Sequence, residues 1–201
     1  ITADGVQEQI FEAMLGCRSV KVMQTYNAGL DHPFYKRMSA KGTRICNSSA
    51  QGVAISEYVM AQVLSYVHPI EQQRQLQAQK QWKITPFREI SGMTWLIVGF
   101  GPIGREIAKR LKAFGTRVIV VRRTQDGGGL ADKVGTMADC AKLLPEADVV
   151  VLACPLNSET RGFANVRFFG AMKQGSILVN IARGALVDDP ALVAALDSGH
   201  L

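Results

Sequence analysis

A glycine-rich segment after a short apolar run carries the clearest chemical signal in this chain of 201 residues. The segment Val98-Gly99-Phe100-Gly101-Pro102-Ile103-Gly104 has the spacing G-x-G-x-x-G and is followed by a helical pattern. Gly99 permits a tight turn, Gly101 lets a pyrophosphate approach the backbone, and Gly104 lets the helix pack on the strand. The helix N-terminus then offers unpaired N–H groups to phosphates. We interpret the segment as a nucleotide-binding turn, with a purely structural glycine turn as the alternative.

The end of the next apolar run indicates which dinucleotide fits. Residues 118–121 are expected to form the second parallel strand, and this strand leads into Arg122, Arg123 and Thr124. NAD-binding units usually carry an Asp or Glu about 20 residues after the glycines to bind the ribose 2′-hydroxyl. No acidic residue ends this strand, and two guanidinium groups with a hydroxyl suit a 2′-phosphate instead. NADP(H) is therefore favoured over NAD(H), with solvated surface arginines as the alternative.

Two further loops follow predicted buried strands, at the edge of the sheet where ligands bind in this fold class. Residues 148–153 lead into Cys154 and Pro155, and residues 176–181 end at Ile181 before Ala182 and Arg183. We assign Cys154, Pro155, Ile181 and Ala182 to the cofactor site. A cation in the second loop can hold a carboxylate and polarise a carbonyl oxygen that gains charge during hydride transfer. Arg183 is therefore a candidate catalytic residue, although an Arg in a loop is more often a surface residue.

Strands alternate with helical patterns along the chain, which predicts an α/β fold with a doubly wound parallel sheet of the Rossmann type. The first part of the chain is typical of the end of a second, partial α/β domain. We place that domain at residues 1–47 and the dinucleotide-binding domain at residues 48–201. A long helix is predicted over residues 51–81, kinked or broken at Pro69. Its polar second half indicates a solvated helix or one that packs on a partner subunit.

The composition argues against several classes of protein. Hydrophobic residues make up 47% of the chain and charged residues 20%, and no apolar run approaches the ~18–20 residues that span a bilayer. The net charge is +6, but the basic residues are scattered, so nucleic-acid binding is unsupported. Cys17, Cys46, Cys140 and Cys154 lack C-x-x-C spacing and are expected to be reduced core residues of a cytoplasmic protein. The histidines show no metal-ligand spacing, so no metal site is expected.

The combination of motifs resembles the D-isomer-specific 2-hydroxyacid dehydrogenase family. The resemblance rests on residues 98–104, on residues 154–162 and on residues 172–188, where the run Asn180-Ile181-Ala182-Arg183-Gly184 is the most specific part. The loop Asn27-Ala28-Gly29-Leu30-Asp31 also resembles the substrate-carboxylate loop of the family. The basic end of the second strand resembles the NADP-preferring branch that contains glyoxylate and hydroxypyruvate reductases.

The resemblance implies a two-domain oxidoreductase that binds its substrate between the domains, with residues 1–47 as part of a flavodoxin-like substrate domain. It also implies a homodimer with the long helix near the subunit interface. The implied reaction is NADPH-dependent reduction of a small anionic 2-oxo acid, such as glyoxylate or hydroxypyruvate, to a D-2-hydroxy acid. Arg183 matches the substrate-orienting catalytic Arg, and the N–H groups of Ala28 and Gly29 match the carboxylate site. The catalytic His of the family and its orienting Glu fall beyond the position of Leu201, and His200 receives no catalytic role.

The sequence is also compatible with two other functions. One is a dinucleotide-binding regulatory protein, or an inactive fragment without the catalytic His and Glu. The other is a relative that acts on another small acid, such as formate or phosphite. We expect the chain to be an internal piece of a longer protein and to be prone to aggregation on its own, because buried strands would lack neighbours.

Overall fold

The structure is a computed structural model that describes residues 3–123 and 129–201. Contacts between Cα atoms divide the chain into two compact units, Ile1–Gln51 and Gly52–Leu201. Each unit has its own sheet and its own core. None of the helices in the described ranges combines the length and the apolar character that a membrane span requires.

The first unit contains two helices and a parallel pair of strands. Its elements follow in chain order: α1 (Ala3–Gly16), β1 (Val22–Gln24), α2 (Pro33–Ala40) and β2 (Arg44–Cys46). The buried core comes from both helices and consists of Phe11, Phe34, Tyr35 and Met38. Phe11 stacks on Phe34 with 4.0 Å between the ring centroids, which joins the two helices. Pro33 occupies the first turn of α2, where its missing N–H costs no helical hydrogen bond.

The second unit contains a parallel sheet of five strands with helices on both faces. Its elements follow in chain order: α3 (Gly52–Val67), α4 (Ile70–Ala78), β3 (Thr94–Val98), α5 (Pro102–Ala113), β4 (Arg117–Val121), β5 (Lys133–Gly135), α6 (Cys140–Leu143), β6 (Val149–Leu152), α7 (Val166–Ala171), β7 (Ile177–Asn180) and α8 (Asp189–Asp197). The spatial order of the strands is β5-β4-β3-β6-β7. This order places the first strand of the sheet in the middle, as in a doubly wound Rossmann fold. The predicted fold class is confirmed.

Alternate residues of β3 face the two opposite layers of the second unit. Trp95 and Ile97 pack in the core formed with α3 and α5, whereas Leu96 and Val98 pack in the core formed with α6, α7 and α8. All four side chains are fully buried. This burial on both faces explains why the strands are nearly continuous apolar runs in the sequence.

The predicted long helix is two shorter helices. The first, α3, ends at Val67, and α4 begins at Ile70 directly after Pro69. Proline has no backbone N–H to donate and its ring clashes with the preceding helical turn, so the predicted break at Pro69 is confirmed. The end of the second helix was predicted at residue 81 and lies at Ala78. No residue of α4 is buried, in agreement with its polar composition.

The cysteines differ in exposure, so the prediction that they are all core residues was wrong. Cys140 and Cys154 are buried in the core beside α6, α7 and α8, Cys46 is half-buried, and Cys17 is exposed just after the end of α1. All four are free thiols. Cys17 lies outside the core because it follows the last turn of α1, where its Sγ donates to the carbonyl of Ala13 at 3.5 Å.

This difference predicts the order of thiol modification. Burial, with a further contribution from nearby Cys154, raises the pKa of Cys140 to about 11. Since only the thiolate reacts, we expect iodoacetamide at pH 8 to modify Cys17 more than ~100-fold faster than Cys140. Mass spectrometry of the labelled peptides measures both rates. In denaturant the two rates should converge, and equal rates in the folded protein would contradict the buried position of Cys140.

Candidate functional site

The glycine turn joins β3 to α5 at the carboxyl edge of the parallel sheet. Gly99 has a φ of +102°, and a Cβ at this position would lie 2.5 Å from the backbone nitrogen of Cys154. A Cβ on Gly104 would clash with the carbonyl oxygen of Gly99. Both positions therefore require glycine, the first for its conformation and the second for close packing of helix against turn. These are the packing roles that the spacing of the motif predicts.

The N-terminus of α5 has the features of a phosphate site. Gly101 is the residue before the helix, and a Cβ built on it has no atom within 4 Å. The N–H of Arg105 donates to the Gly101 carbonyl at 3.0 Å. The amides of Ile103 and Gly104 come before that of Arg105, in the first turn of α5. Pro102 supplies no N–H of its own. An open approach, the amides of the first helical turn and the positive end of the helix dipole suit the pyrophosphate of a dinucleotide.

Two guanidinium groups converge on the ring of Phe100. The Cζ atom of Arg105 lies 4.9 Å from the ring centroid, and the Cζ atom of Arg122 lies 5.7 Å from it. Phe100 is buried, and Arg122 is anchored through its N–H to the carbonyl of Gly135 at 3.0 Å. Cation–π contacts of this kind orient arginine side chains at a protein surface. Sequence reasoning missed Arg105, although an Arg in the first turn of the nucleotide-binding helix was visible.

The other two residues of this predicted site are Arg123 and Thr124. Arg123 is exposed after the end of β4. Thr124 lies outside the described residues. The structure therefore brings Arg122 to the glycine turn through Phe100, and it places Arg123 on the surface beside it in the chain.

The loop after β6 is held by a hydrogen-bonded turn. Cys154 is buried, and the hydroxyl of Thr160 donates to the carbonyl of Pro155 at 2.8 Å while accepting the N–H of Asn157 at 2.9 Å. The Asn157 side chain accepts the N–H groups of Glu159 and Thr160. This closed turn fixes Pro155 beyond the carboxyl end of β6, which is the neighbour of the strand that leads into the glycine turn.

The loop after β7 presents Arg183. Strand β7 neighbours β6, and the N–H of Ile181 donates to the carbonyl of Leu152 at 3.2 Å. The side chain of Asn180 accepts the N–H of Ala182 at 3.0 Å and donates to the carbonyl of Arg183 at 2.9 Å. Asn180 therefore fixes the backbone on which Arg183 lies. The Arg183 side chain is exposed, and its Nη1 donates to the Ala182 carbonyl at 2.8 Å.

The predicted substrate loop lies in the first unit, between β1 and α2. Ala28 and Gly29 are half-buried. Within residues 3–123 and 129–201, the N–H groups of Ala28 and Gly29 donate no hydrogen bond. Two neighbouring amides without a partner are the kind of donor pair that binds a carboxylate.

The histidines have structural contacts. His32 accepts the N–H of Phe34 at the start of α2, His68 stacks on Phe87, and the Nε2 atom of His200 lies 3.0 Å from the carbonyl oxygen of Met172. In the described part of the chain, no group of three or more His, Cys, Asp or Glu side chains is arranged to hold a metal ion.

A parallel sheet of this strand order, with a glycine turn at the N-terminus of α5, defines a dinucleotide-binding unit. Residues 60–201 match the family model described as the NAD binding domain of D-isomer specific 2-hydroxyacid dehydrogenase. The chain belongs to the D-isomer-specific 2-hydroxyacid dehydrogenase family, as its motifs indicate. Members of this family are NAD(P)-dependent oxidoreductases that act on CH–OH groups.

The relatives of this chain carry the names of different enzymes. The chain is 31% identical over 206 residues to D-3-phosphoglycerate dehydrogenase of Bacillus subtilis, and the match covers 100% of this chain and 38% of the relative. It is 41% identical over 113 residues to glyoxylate reductase of Thermococcus gammatolerans, and this match covers 56% of this chain and 34% of the relative. Curated relatives of this kind are matched over only 31% to 61% of their own length.

A similar solved structure contains a dinucleotide. It is a D-isomer specific 2-hydroxyacid dehydrogenase of Xanthobacter autotrophicus Py2, crystallised in complex with NADPH and MES. The TM-score is 0.78 and the identity is 26%, and the match covers 90% of this chain and 58% of that chain.

Proposed function

We propose that the protein to which this chain belongs reduces a small 2-oxo acid of the glyoxylate or hydroxypyruvate type to a D-2-hydroxy acid, with NADPH as the reductant. The observation that carries the proposal is the arrangement of the second unit, where the glycine turn, the Pro155 loop and the Arg183 loop all follow neighbouring parallel strands. Family membership and the similarity to a glyoxylate reductase support it further.

In this proposal some of the described residues bind the cofactor, and Arg183 polarises the substrate carbonyl. The amides at the start of α5 bind the pyrophosphate, and the loops at Cys154, Pro155, Ile181 and Ala182 contact the rest of the cofactor. Bound NADPH supplies the hydride that reduces the substrate carbonyl. The guanidinium of Arg183 hydrogen-bonds the carbonyl oxygen and stabilises the negative charge that develops there. Protonation of the product oxygen falls to a His in this proposal, as the resemblance to the family implies.

The preference for NADPH rests on the basic end of β4. The 2′-phosphate carries nearly two negative charges, and an arginine fork can donate two parallel hydrogen bonds to its oxygens. Arg122 is held near the glycine turn by its contact with Phe100, and Arg105 lies over the same ring. The sequence Arg122-Arg123-Thr124 at the end of β4 contains two guanidinium groups and no acidic residue, which favours a 2′-phosphate over a 2′-hydroxyl. The NADPH complex of a similar protein adds support.

Fluorescence titration with NADPH and with NADH tests this preference. We expect wild-type protein to bind NADPH at least ~10-fold more tightly than NADH, since charged hydrogen bonds contribute about 1.5–3 kcal/mol. Arg122→Gln should remove most of this difference by weakening NADPH binding and should leave the NADH affinity within about threefold.

Arg117→Gln is the matched control, because Arg117 lies at the opposite end of the same strand and pairs with Glu146 at 2.9 Å. It should change neither affinity. Tighter binding of NADH by the wild-type protein would show that the proposed preference for NADPH is wrong. It would still support the assignment of the second unit as dinucleotide-binding.

We also propose a homodimer, on the evidence of the surface that follows α4. Trp82 and Ile84 are 96% and 90% exposed, and together with α4 they line an open cavity of about 700 Å³. Tyr58 and Tyr66 on α3 are exposed as well. Exposed aromatic side chains of this number are typical of protein interfaces.

A further inference from the structure

We propose that the Asn47 side chain, together with the backbone of Ser48, positions the two amides that bind the substrate carboxylate. The inference rests on the proposed function, because it takes Ala28 and Gly29 as the carboxylate site. It adds a positioning residue from the end of β2, which the motifs of the sequence do not contain.

Three consecutive amides in this loop have different partners. The N–H of Asn27 donates to the hydroxyl of Thr25 at 3.0 Å and is therefore occupied. The next two, those of Ala28 and Gly29, donate to no described residue. The pair is thus set apart from the amide before it by a specific hydrogen bond.

The carbonyl groups of the same two peptides are both held by the chain after β2. The Asn27 carbonyl accepts the N–H of Ser48 at 3.1 Å, and the Ala28 carbonyl accepts the Nδ2 of Asn47 at 2.9 Å. In a trans peptide the C=O and the following N–H point in opposite directions. The amides of Ala28 and Gly29 therefore point away from the 47–48 segment, toward the same side of the loop.

Two adjacent N–H groups on one side of a loop form a concave site for an anion. A carboxylate has two oxygens and can accept one hydrogen bond from each amide, and such charge-assisted bonds are stronger than neutral ones. The strength of these two hydrogen bonds depends on how well the two peptide planes are oriented. This dependence makes the carbonyl partners on the opposite side part of the binding machinery.

The side chain at position 47 must be a hydrogen-bond donor, and its backbone is itself held in place. Gln24 donates through Nε2 to the Asn47 carbonyl at 3.2 Å and to the Thr25 carbonyl at 2.8 Å. An aspartate has nearly the same shape as asparagine but no donor when ionised. It would place a negative charge beside the Ala28 carbonyl and near the bound carboxylate.

Binding of oxamate, a non-reacting analogue of a 2-oxo acid, tests the inference in the complete protein saturated with NADPH. We expect Asn47→Asp and Asn47→Ala to raise the Kd of oxamate and the KM of glyoxylate at least tenfold. The kcat should fall less than threefold, because a carboxylate is bound equally in the ground and transition states. The Kd of NADPH should be unchanged, since Asn47 lies outside the dinucleotide-binding unit.

Lys41→Ala serves as the matched control. Lys41 also donates from its side chain to backbone carbonyls in the first unit, those of Leu15 and Cys17, but it does not touch the substrate loop. It should leave the Kd of oxamate within twofold of wild type. A melting temperature within a few degrees of wild type identifies variants that are folded. Two different substitutions are made at position 47, so that the test can be completed if one of the two variants does not fold.

The outcomes separate the inference from the function on which it rests. Weaker oxamate binding by the Asn47 variants with intact NADPH binding supports the positioning role. Unchanged oxamate binding by folded Asn47 variants overturns it and leaves the proposed function standing. Absence of both oxamate binding and glyoxylate reduction in the wild-type protein overturns the proposed function and the inference together.

Discussion

Replacement of Arg183 by alanine in the complete protein is expected to lower kcat/KM for glyoxylate by about 100-fold or more. The guanidinium is exposed at the carboxyl edge of the sheet, on a backbone that Asn180 holds through two hydrogen bonds. A preorganised donor of this kind stabilises charge that develops only in the transition state, so its loss should lower kcat as well as raise KM. Steady-state kinetics with varied glyoxylate at saturating NADPH measures both constants.

Two further variants make this result specific. Arg183→Lys keeps the charge but loses the planar fork, so we expect an activity between those of wild type and Arg183→Ala. Arg167→Ala removes another exposed arginine, on α7, and should leave kcat/KM within twofold of wild type. The Kd of NADPH should be similar in all these proteins. Kinetics of Arg183→Ala that match wild type would remove Arg183 from the mechanism.

Gly99→Ala is expected to destabilise the dinucleotide-binding unit by about 4 kcal/mol. The residue has a φ of +102°, where an L side chain is strained, and its Cβ would lie 2.5 Å from the backbone nitrogen of Cys154. Neither strand can move away easily, because β3 and β6 are hydrogen-bonded neighbours in the middle of the sheet. Urea unfolding followed by circular dichroism measures the loss as a lower midpoint.

Other glycines of the same unit separate strain from ligand contact. Gly170 lies in α7 with no atom within 4 Å of a built Cβ, so Gly170→Ala should be neutral or stabilising by up to ~1 kcal/mol. Gly101 is equally open, so Gly101→Ala should fold normally but bind NADPH at least ~10-fold more weakly, because the pyrophosphate must approach the backbone there. An unfolding midpoint of Gly99→Ala equal to that of wild type would show that the turn relaxes without cost.

Local sequence signals were sufficient wherever the structure depends on neighbours in the chain. Buried strands appear as short apolar runs because helices cover both faces of the sheet, and the break at Pro69 follows from the missing N–H of proline. Asp188 accepts the N–H of Ala191 at the start of α8, a contact between residues only three positions apart in the chain. The fold class and the family could therefore be inferred from the sequence alone.

The tertiary structure decided the features that depend on residues far apart in the chain. The convergence of Arg105 and Arg122 on Phe100, and the hydrogen bond from Asn47 to the Ala28 carbonyl, depend on how the strands are paired. Burial of the cysteines is of the same kind, since an apolar sequence context did not distinguish exposed Cys17 from buried Cys140. Periodicity and motif spacing report which face of an element is apolar, whereas the partner that covers that face is set only when the elements pack together.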